Sequence, residues 1–407
     1  MSELERAAAL LQSPDAGGLL LAALTGDPAA ALPGFGAMLT TWQYRPGAEV
    51  TAGYTVTYPD ATGVQVTDYL FATAADVPAP ARLTRDGMTF GVWRHPLDPM
   101  LPGLASACDP ATVQGWLKVA PAAFDLTLLG YRPLRRAVLQ ATADAHTTYL
   151  KVLRPERAER LAVRQNLLAT AGLTPAIAAR PAPGVLVTPA AAGRSLAAAL
   201  ATPGDAGLPT PAELVALLDR LPAALAELPR RPAWSDRLDF HTATAIDRVP
   251  EQAERLRLLQ RRLQEVLDAA PVGPIVATHG DFYEANLFVD GPTLTLIDVD
   301  ASGPGRREDD LACLLAHLAV LPGLSPDHYS AVPGILAEWT DDFASRVAPS
   351  ALFGRVAAVV LSLVAGAGGD QAEHRLEIAE SWADRCEGSR PPNMGEAAPP
   401  PTMMREP

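Results

Sequence analysis

The sequence predicts an α+β protein with more than one domain. At 407 residues the chain exceeds the roughly 100–150 residues of an ordinary domain, so about two or three are expected. Up to about residue 190, short stretches alternate apolar and polar residues between turn signals, as strands do. Beyond that the apolar spacing is helical, interrupted by two short β segments at Ile275–Thr278 and Leu294–Ile297.

Composition excludes several classes. Hydrophobic residues make up 48% and charged residues 19%, which supports a large core and argues against global disorder. No apolar run reaches the roughly 18–20 residues of a membrane span. The opening residues Met1 to Arg6 carry two acids and no basic cluster, so no secretory leader is expected. Cys108, Cys313 and Cys386 are scattered and odd in number, which points to a reducing, cytoplasmic setting rather than a disulfide framework. A net charge of -13 disfavours nucleic acid as a partner. Of the 33 basic residues only Lys118 and Lys151 are lysines, so each is a candidate for a task that needs a compact ammonium.

Residues 1 to about 35 read as helix followed by a loop at 27–36. Val50–Tyr58 and Val64–Phe71 alternate as strands around a Pro59–Gly63 turn, with a further strand at Met88–Arg94. A Pro-rich stretch from Pro96 to Pro110 breaks the pattern. Leu128–Pro133, Ala137–Ala141 and Thr148–Leu153 form a second strand set. The tripeptide Tyr-Arg-Pro occurs at Tyr44–Pro46 and again at Tyr131–Pro133, each time before a strand-like hairpin, which suggests two related β-units. A helix over Pro155–Ala171, a strand at Val185–Thr188 and a helix capped by Ser195 follow.

The segment Thr278-His-Gly-Asp-Phe-Tyr-Glu-Ala-Asn-Leu-Phe-Val289, followed by Leu294-Thr-Leu-Ile-Asp-Val-Asp300, carries the chemistry. Phosphoryl transfer to a hydroxyl needs a carboxylate to orient the hydroxyl, hard oxygens to hold Mg²⁺, and a cation against developing charge. Asp281 and Asn286 lie on one loop between short strands, so that loop offers a carboxylate to an acceptor and an amide oxygen to a metal. Asp298 follows an apolar strand and supplies a second hard oxygen, a donor type that suits Mg²⁺.

His279-Gly280-Asp281 with Asn286, then Ile297-Asp298 with Asp300, then Gly305 through Asp310-Leu-Ala, resembles the aminoglycoside phosphotransferase and choline kinase-like family. The likeness covers roughly residues 125–380. It implies a protein-kinase-like bilobal fold with a small β-rich N-lobe at 121–190 and a large, mainly helical C-lobe at 191–385. Residues 1–120 resemble the extra β-rich cap of maltokinase-like relatives, and 386–407 read as a disordered tail. The resemblance implies ATP and Mg²⁺ as cofactors and a small polyhydroxylated acceptor, an aminoglycoside or a sugar.

Carried over by position, Asp281 is the catalytic base, Asn286 and Asp298 are the metal ligands, and Lys151 in Tyr-Leu-Lys-Val-Leu clamps the phosphates. Glu159 is the chosen acidic partner of that lysine, and the backbone around Val187 binds adenine. His279 orients backbone, Asp300 adds to or braces the metal site, and Asp310 braces the catalytic loop. The chain departs from protein kinases in having no glycine between Gly130 and Gly172, so a Gly-rich phosphate loop is absent. Tyr283 and Glu284 face an acceptor or pack, His317 reads as a core histidine, and Trp234, Asp236 and His241 are candidates for an acceptor pocket. The competing reading is a nucleotide-binding pseudokinase with a regulatory role. Nothing in the sequence speaks to oligomeric state.

Overall fold

Alternation in the first half becomes two antiparallel sheets. The computed structural model describes residues 2–26, 34–45, 49–60, 62–120, 124–144, 146–202 and 207–388. Residues 27–33 of the loop expected at 27–36 and residues 389–407 of the tail expected from 386 lie outside the described residues, as do Pro46 of the first Tyr-Arg-Pro copy and Ala61 of the expected Pro59–Gly63 turn. The chain divides into two units, Met1–Val163 with Ala176–Ala190, and Arg164–Pro175 with Ala191–Pro407.

The first unit opens with α1 (Glu3–Leu11), held by a capping box between Ser2 and Glu5, and α2 (Ala16–Thr25). They cover a sheet ordered β1-β2-β3-β5-β4, made of β1 (Gly36–Arg45), β2 (Glu49–Pro59), β3 (Gln65–Thr73), β4 (Ala81–Arg85) and β5 (Met88–Arg94). Leu11, Leu20 and Leu21 from the helices meet Val50, Leu70 and Phe90 from the strands. The Pro-rich stretch hides two helices, α3 (Leu104–Ala107) and α4 (Pro110–Leu117). Asp109 caps α4 through the Thr112 amide at 2.8 Å, and Pro110 occupies a first-turn position where its missing N–H costs nothing. Proline here starts a helix that the sequence pattern alone marked as a break.

A second sheet, ordered β6-β7-β8-β9, contains β6 (Phe124–Arg132), β7 (Arg136–Ala143), β8 (His146–Leu153) and, after α5 (Pro155–Thr170), β9 (Val185–Pro189). Leu101, Leu104 and Val113 pack on Leu139, Leu150 and Val187. The Tyr-Arg-Pro echo is a shared register. Tyr44 pairs with Val50 and Arg45 with Glu49, while Tyr131 pairs with Ala137 and Arg132 with Arg136. The same number of residues therefore separates the paired positions in both hairpins, and both leading strands carry a register shift, at Leu39/Thr41 and at Leu128/Gly130.

The hairpins also touch. Arg135 bridges to Glu49 at 2.5 Å. Fully buried Trp93 stacks on Phe71 at 5.6 Å and donates its indole N–H to the Tyr131 hydroxyl at 3.2 Å. Tyr131 in turn donates to Asp98 Oδ2 at 2.7 Å, and that oxygen also accepts the Leu134 amide at 2.7 Å. Asp98 Oδ1 accepts the Met100 amide at 2.8 Å. One buried carboxylate thus satisfies polar groups from the loop after β5, from β6 and from the β6–β7 turn.

The second unit contains β10 (Arg194–Ser195), α6 (Leu196–Leu200), α7 (Pro211–Asp219), α8 (Leu238–Arg248), α9 (Ala253–Ala269), β11 (Ile275–Thr278), β12 (Leu287–Asp290), β13 (Thr293–Leu296) and β14 (Gly303–Arg306). It ends with α10 (Arg307–Leu324), α11 (Val332–Arg346), α12 (Pro349–Val364) and α13 (Asp370–Gly388), the last extending past the expected boundary at 385. Almost every side chain of α12 is buried, because α9, α10 and α13 surround it. Among the described residues no single helix is long and apolar enough to cross a membrane.

Replacing Asp98 by Ala strands the Leu134 and Met100 amides and the Tyr131 hydroxyl. Unfolding in urea should show a loss of about 2–4 kcal/mol, whereas Asp125→Ala at an exposed position should change stability by less than about 0.5 kcal/mol.

Candidate functional site

Short strands bracket the loop that carries Asp281. β11 pairs with β14, placing Thr278 opposite Gly303, and β12 pairs with β13. Between β11 and β12 the chain turns sharply at Gly280, whose φ is +79°. A Cβ there would lie 2.7 Å from the Ala301 carbonyl oxygen, so both conformation and space require glycine.

Asp310, fully buried in the first turn of α10, holds this turn. Its Oδ2 accepts the His279 amide at 2.8 Å and its Oδ1 the Gly280 amide at 2.8 Å. Its position near the start of α10 also favours negative charge, although burial pushes its pKa up to about 7 against those amides. Thr278 Oγ1 donates to the Gly303 carbonyl at 2.9 Å, and Ser302 Oγ to the His279 carbonyl at 3.3 Å.

The His279 ring lies 3.0 Å through Nε2 from the Ile297 carbonyl. A carbonyl only accepts, so Nε2 carries the proton. The Ile297 amide donates to the Asn286 carbonyl at 2.9 Å, and Asn286 Nδ2 donates to the Asp281 carbonyl at 3.0 Å. Hydrogen bonds therefore connect Asp281, Asn286, Ile297 and His279 around one loop.

Asp298 has φ +53° and ψ +49°, the left-handed region, which aspartate enters more readily than most side chains. The Asp281 pKa is pushed up to about 6, first by burial and then by the charge of Asp298. Arg231 and a hydrogen bond from Trp234 pull it back, and Asp300 adds a smaller push upward. Crowded carboxylates of this kind favour a bound cation. Because Asn286 Nδ2 is committed to the Asp281 carbonyl, its Oδ1 is the end available as a ligand. Asn286 Oδ1 and the Asp298 carboxylate are hard oxygens, a donor set that fits Mg²⁺ with water and phosphate completing the shell.

Lys151 sits on β8, half-buried, across from Val138 and Leu186. Two expectations need correction. The Glu159 carboxylate is engaged by Arg180, and its side chain is 65% exposed, so it forms a surface ion pair rather than a partner for Lys151. It lies on the outward face of the first turns of α5, where Arg180 reaches it. Val187 cannot present its backbone to adenine. Its amide donates to the Ala179 carbonyl at 2.9 Å, and its carbonyl accepts the Ala178 amide at 2.8 Å. The segment around Ala179 lies along β9 and uses those groups.

Tyr283 stacks on His317 at 4.2 Å, and burial drops the His317 pKa to about 4, so the pair is neutral packing. Glu284 is buried with Oε2 lacking a hydrogen-bond partner among the described residues, and burial pushes its pKa up to about 7. Arg231, which acts on Asp281, was not singled out by the sequence. It sits in an irregular stretch without a motif, and only proximity in the fold reveals it.

A model of the phosphotransferase enzyme family (APH) matches residues 135–330. No curated protein sequence matches the chain. Similar solved structures include a thermostable mutant of aminoglycoside phosphotransferase APH(4)-Ia in ternary complex with AMP-PNP and hygromycin B. It is 14% identical and covers 70% of this chain and 99% of its own, with a TM-score of 0.47. A choline/ethanolamine kinase family protein from Mesorhizobium loti is 19% identical and covers 71% and 95%, with a TM-score of 0.42. Plasmodium vivax ethanolamine kinase is 10% identical and covers 69% and 89%, with a TM-score of 0.43. The matched span includes the loop of Asp281, the Ile297-Asp298 segment and Asp310.

The Glu284 environment generates a pH prediction. A carboxyl whose pKa rises on folding holds its proton better in the folded state. Its contribution is therefore intact below the unfolded pKa near 4.5 and is lost as pH rises through about 7. Glu284→Gln keeps the shape without the charge. In urea unfolding it should match the wild type at pH 4.5 and exceed it by about 1–3 kcal/mol at pH 8.

Proposed function

We propose that the chain is a small-molecule kinase that moves the γ-phosphoryl of ATP to a hydroxyl of a small polyhydroxylated molecule, a sugar or an aminoglycoside, a reading supported by the match of residues 135–330 to the phosphotransferase enzyme family. The observation that carries this reading is the Asp281 carboxylate, half-buried on a loop pinned by Asp310 and set against the charge of Asp298.

In this reading Asp281 accepts a hydrogen bond from the acceptor hydroxyl, aligns its oxygen and takes its proton as that oxygen bonds to the γ-phosphorus and the bond from that phosphorus to the departing ADP oxygen breaks. A pKa near 6 suits the task, since the group is ionised at neutral pH yet still basic. The Trp234 hydrogen bond limits which way the carboxylate can turn. Asn286 Oδ1 and Asp298 would hold Mg²⁺, which supplies neutralisation of phosphate charge when bound. His279 fixes Asp298 indirectly, by holding the carbonyl of the preceding residue. Lys151 is assigned to the nucleotide phosphates on its sequence context alone.

The test is ADP release with Mg²⁺ and ATP across sugars, amino sugars, aminoglycosides and choline. Asp281→Asn should lower turnover by about 10²–10⁴-fold with nucleotide affinity retained. Asp298→Asn should instead weaken Mg²⁺-dependent ATP binding, read by calorimetry. An unchanged rate in Asp281→Asn would remove the assigned base. Tight ATP binding without turnover on any acceptor would favour the pseudokinase reading.

A further inference from the structure

The turn between β6 and β7 has no backbone donor to spare. Its residues are Pro133, Leu134 and Arg135. Proline has no N–H, Asp98 Oδ2 accepts the Leu134 amide at 2.7 Å, and the Arg132 carbonyl accepts the Arg135 amide at 3.0 Å. A glycine-rich loop cradles phosphate with unpaired amides, and this turn has none to give. Cations flank it instead. Arg132 and Arg136 lie directly opposite one another across the hairpin, a placement that like charges disfavour. Glu49 and Asp98 reach this turn but are already engaged, Glu49 by Arg135 and Asp98 by the Tyr131 hydroxyl and the Leu134 and Met100 amides. Arg132 is exposed and Arg136 half-buried, and neither makes an ion pair among the described residues.

Register puts both arginines on the face that carries Lys151. Burial alternates along β7: Ala137, Leu139 and Ala141 pack with residues of α3 and α4, while Arg136 and Val138 belong to the opposite face. Arg136 is opposite Leu153, and Val138 is opposite Lys151. Arg132, Arg136 and Lys151 therefore share one face, with Lys151 diagonal to Arg136 and within reach of the same ligand. The only acid in these four strands, Asp125, is opposite Thr142 at the other end of the hairpin. In a chain of net charge -13, this end of the sheet is a concentration of positive charge suited to a multiply charged anion. We propose that Arg136 and Arg132 bind the phosphate oxygens of the nucleotide beside Lys151, so that side-chain cations do what bare amides do in a glycine-rich loop. Each guanidinium offers paired N–H donors that match phosphate oxygens. This rests on the phosphotransferase reading, with Lys151 at the phosphates, and adds two residues to it.

The experiment is calorimetry on the full chain with Mg²⁺, measuring Kd for ATP and for adenosine, which lacks the phosphates. The proteins are the wild type, Arg136→Gln, Arg132→Gln and Arg85→Gln. Arg136→Gln should weaken ATP by at least about tenfold and leave adenosine within about twofold. Arg132→Gln, at an exposed position, should weaken ATP by roughly threefold. Arg85→Gln, an exposed arginine of the first sheet, should change neither. ATP bound as tightly by Arg136→Gln and Arg132→Gln as by the wild type overturns the proposal and leaves the phosphotransferase reading in place. An equal loss for ATP and adenosine, the mark of a disturbed sheet, overturns it too. If Arg136→Gln does not fold, Arg132→Gln decides: a loss confined to ATP supports the proposal and no loss overturns it. A wild type that binds no ATP removes the phosphotransferase reading and the proposal together.

Discussion

Two hydrogen bonds from the backbone of His279 and Gly280 to the buried carboxylate of Asp310 hold the segment that carries Asp281 in shape. A turn with φ at +79° beside the Ala301 carbonyl does not persist on local preference alone. Asp310 supplies charge-assisted acceptors for both amides, and the start of α10 supplies a favourable field. Removing that carboxylate would leave two donors buried without partners, a cost of about 1–3 kcal/mol for each. Asp281 follows directly, so its position is inherited from this contact.

The same segment accumulates acids. Burial first, and then the charges of Asp298 and Asp300, raise the pKa of Asp281. Asp298 is held in a left-handed conformation, and the carbonyl before it is tied to His279. Arg231 and Trp234 act in the opposite direction on Asp281, keeping its pKa near neutrality rather than well above it.

Much of this was legible in the sequence because the chemistry is local. Asp281 and Asn286 share a loop, Asp298 and Asp310 follow within a short span, and glycine at 280 marks the turn. Strand pairs and the shared Tyr-Arg-Pro register were visible for the same reason, since alternation and turn residues are near-neighbour signals. What could not be read depended on contacts distant in sequence. Arg180 reaches Glu159 across the segment between α5 and β9. Ala178 and Ala179 use the Val187 peptide groups through an isolated bridge. Arg231 comes to Asp281 from an irregular stretch with no periodicity, in which the sequence singles out only Trp234, Asp236 and His241. The Pro-rich stretch misled because proline marks a helix start as well as a break.

The first unit adds a second lesson. Its two sheets share a hairpin register and meet at the Trp93–Tyr131–Asp98 cluster and the Glu49–Arg135 ion pair. The tyrosine of the second Tyr-Arg-Pro copy is itself part of that joint. A ³¹P NMR time course of ATP and Mg²⁺ with a panel of sugars, amino sugars and aminoglycosides tests phosphoryl transfer by the second unit most directly. A phosphomonoester resonance growing in step with ADP is the predicted result. ATP left intact, or cleaved to ADP and inorganic phosphate alone with no ester formed, would contradict it.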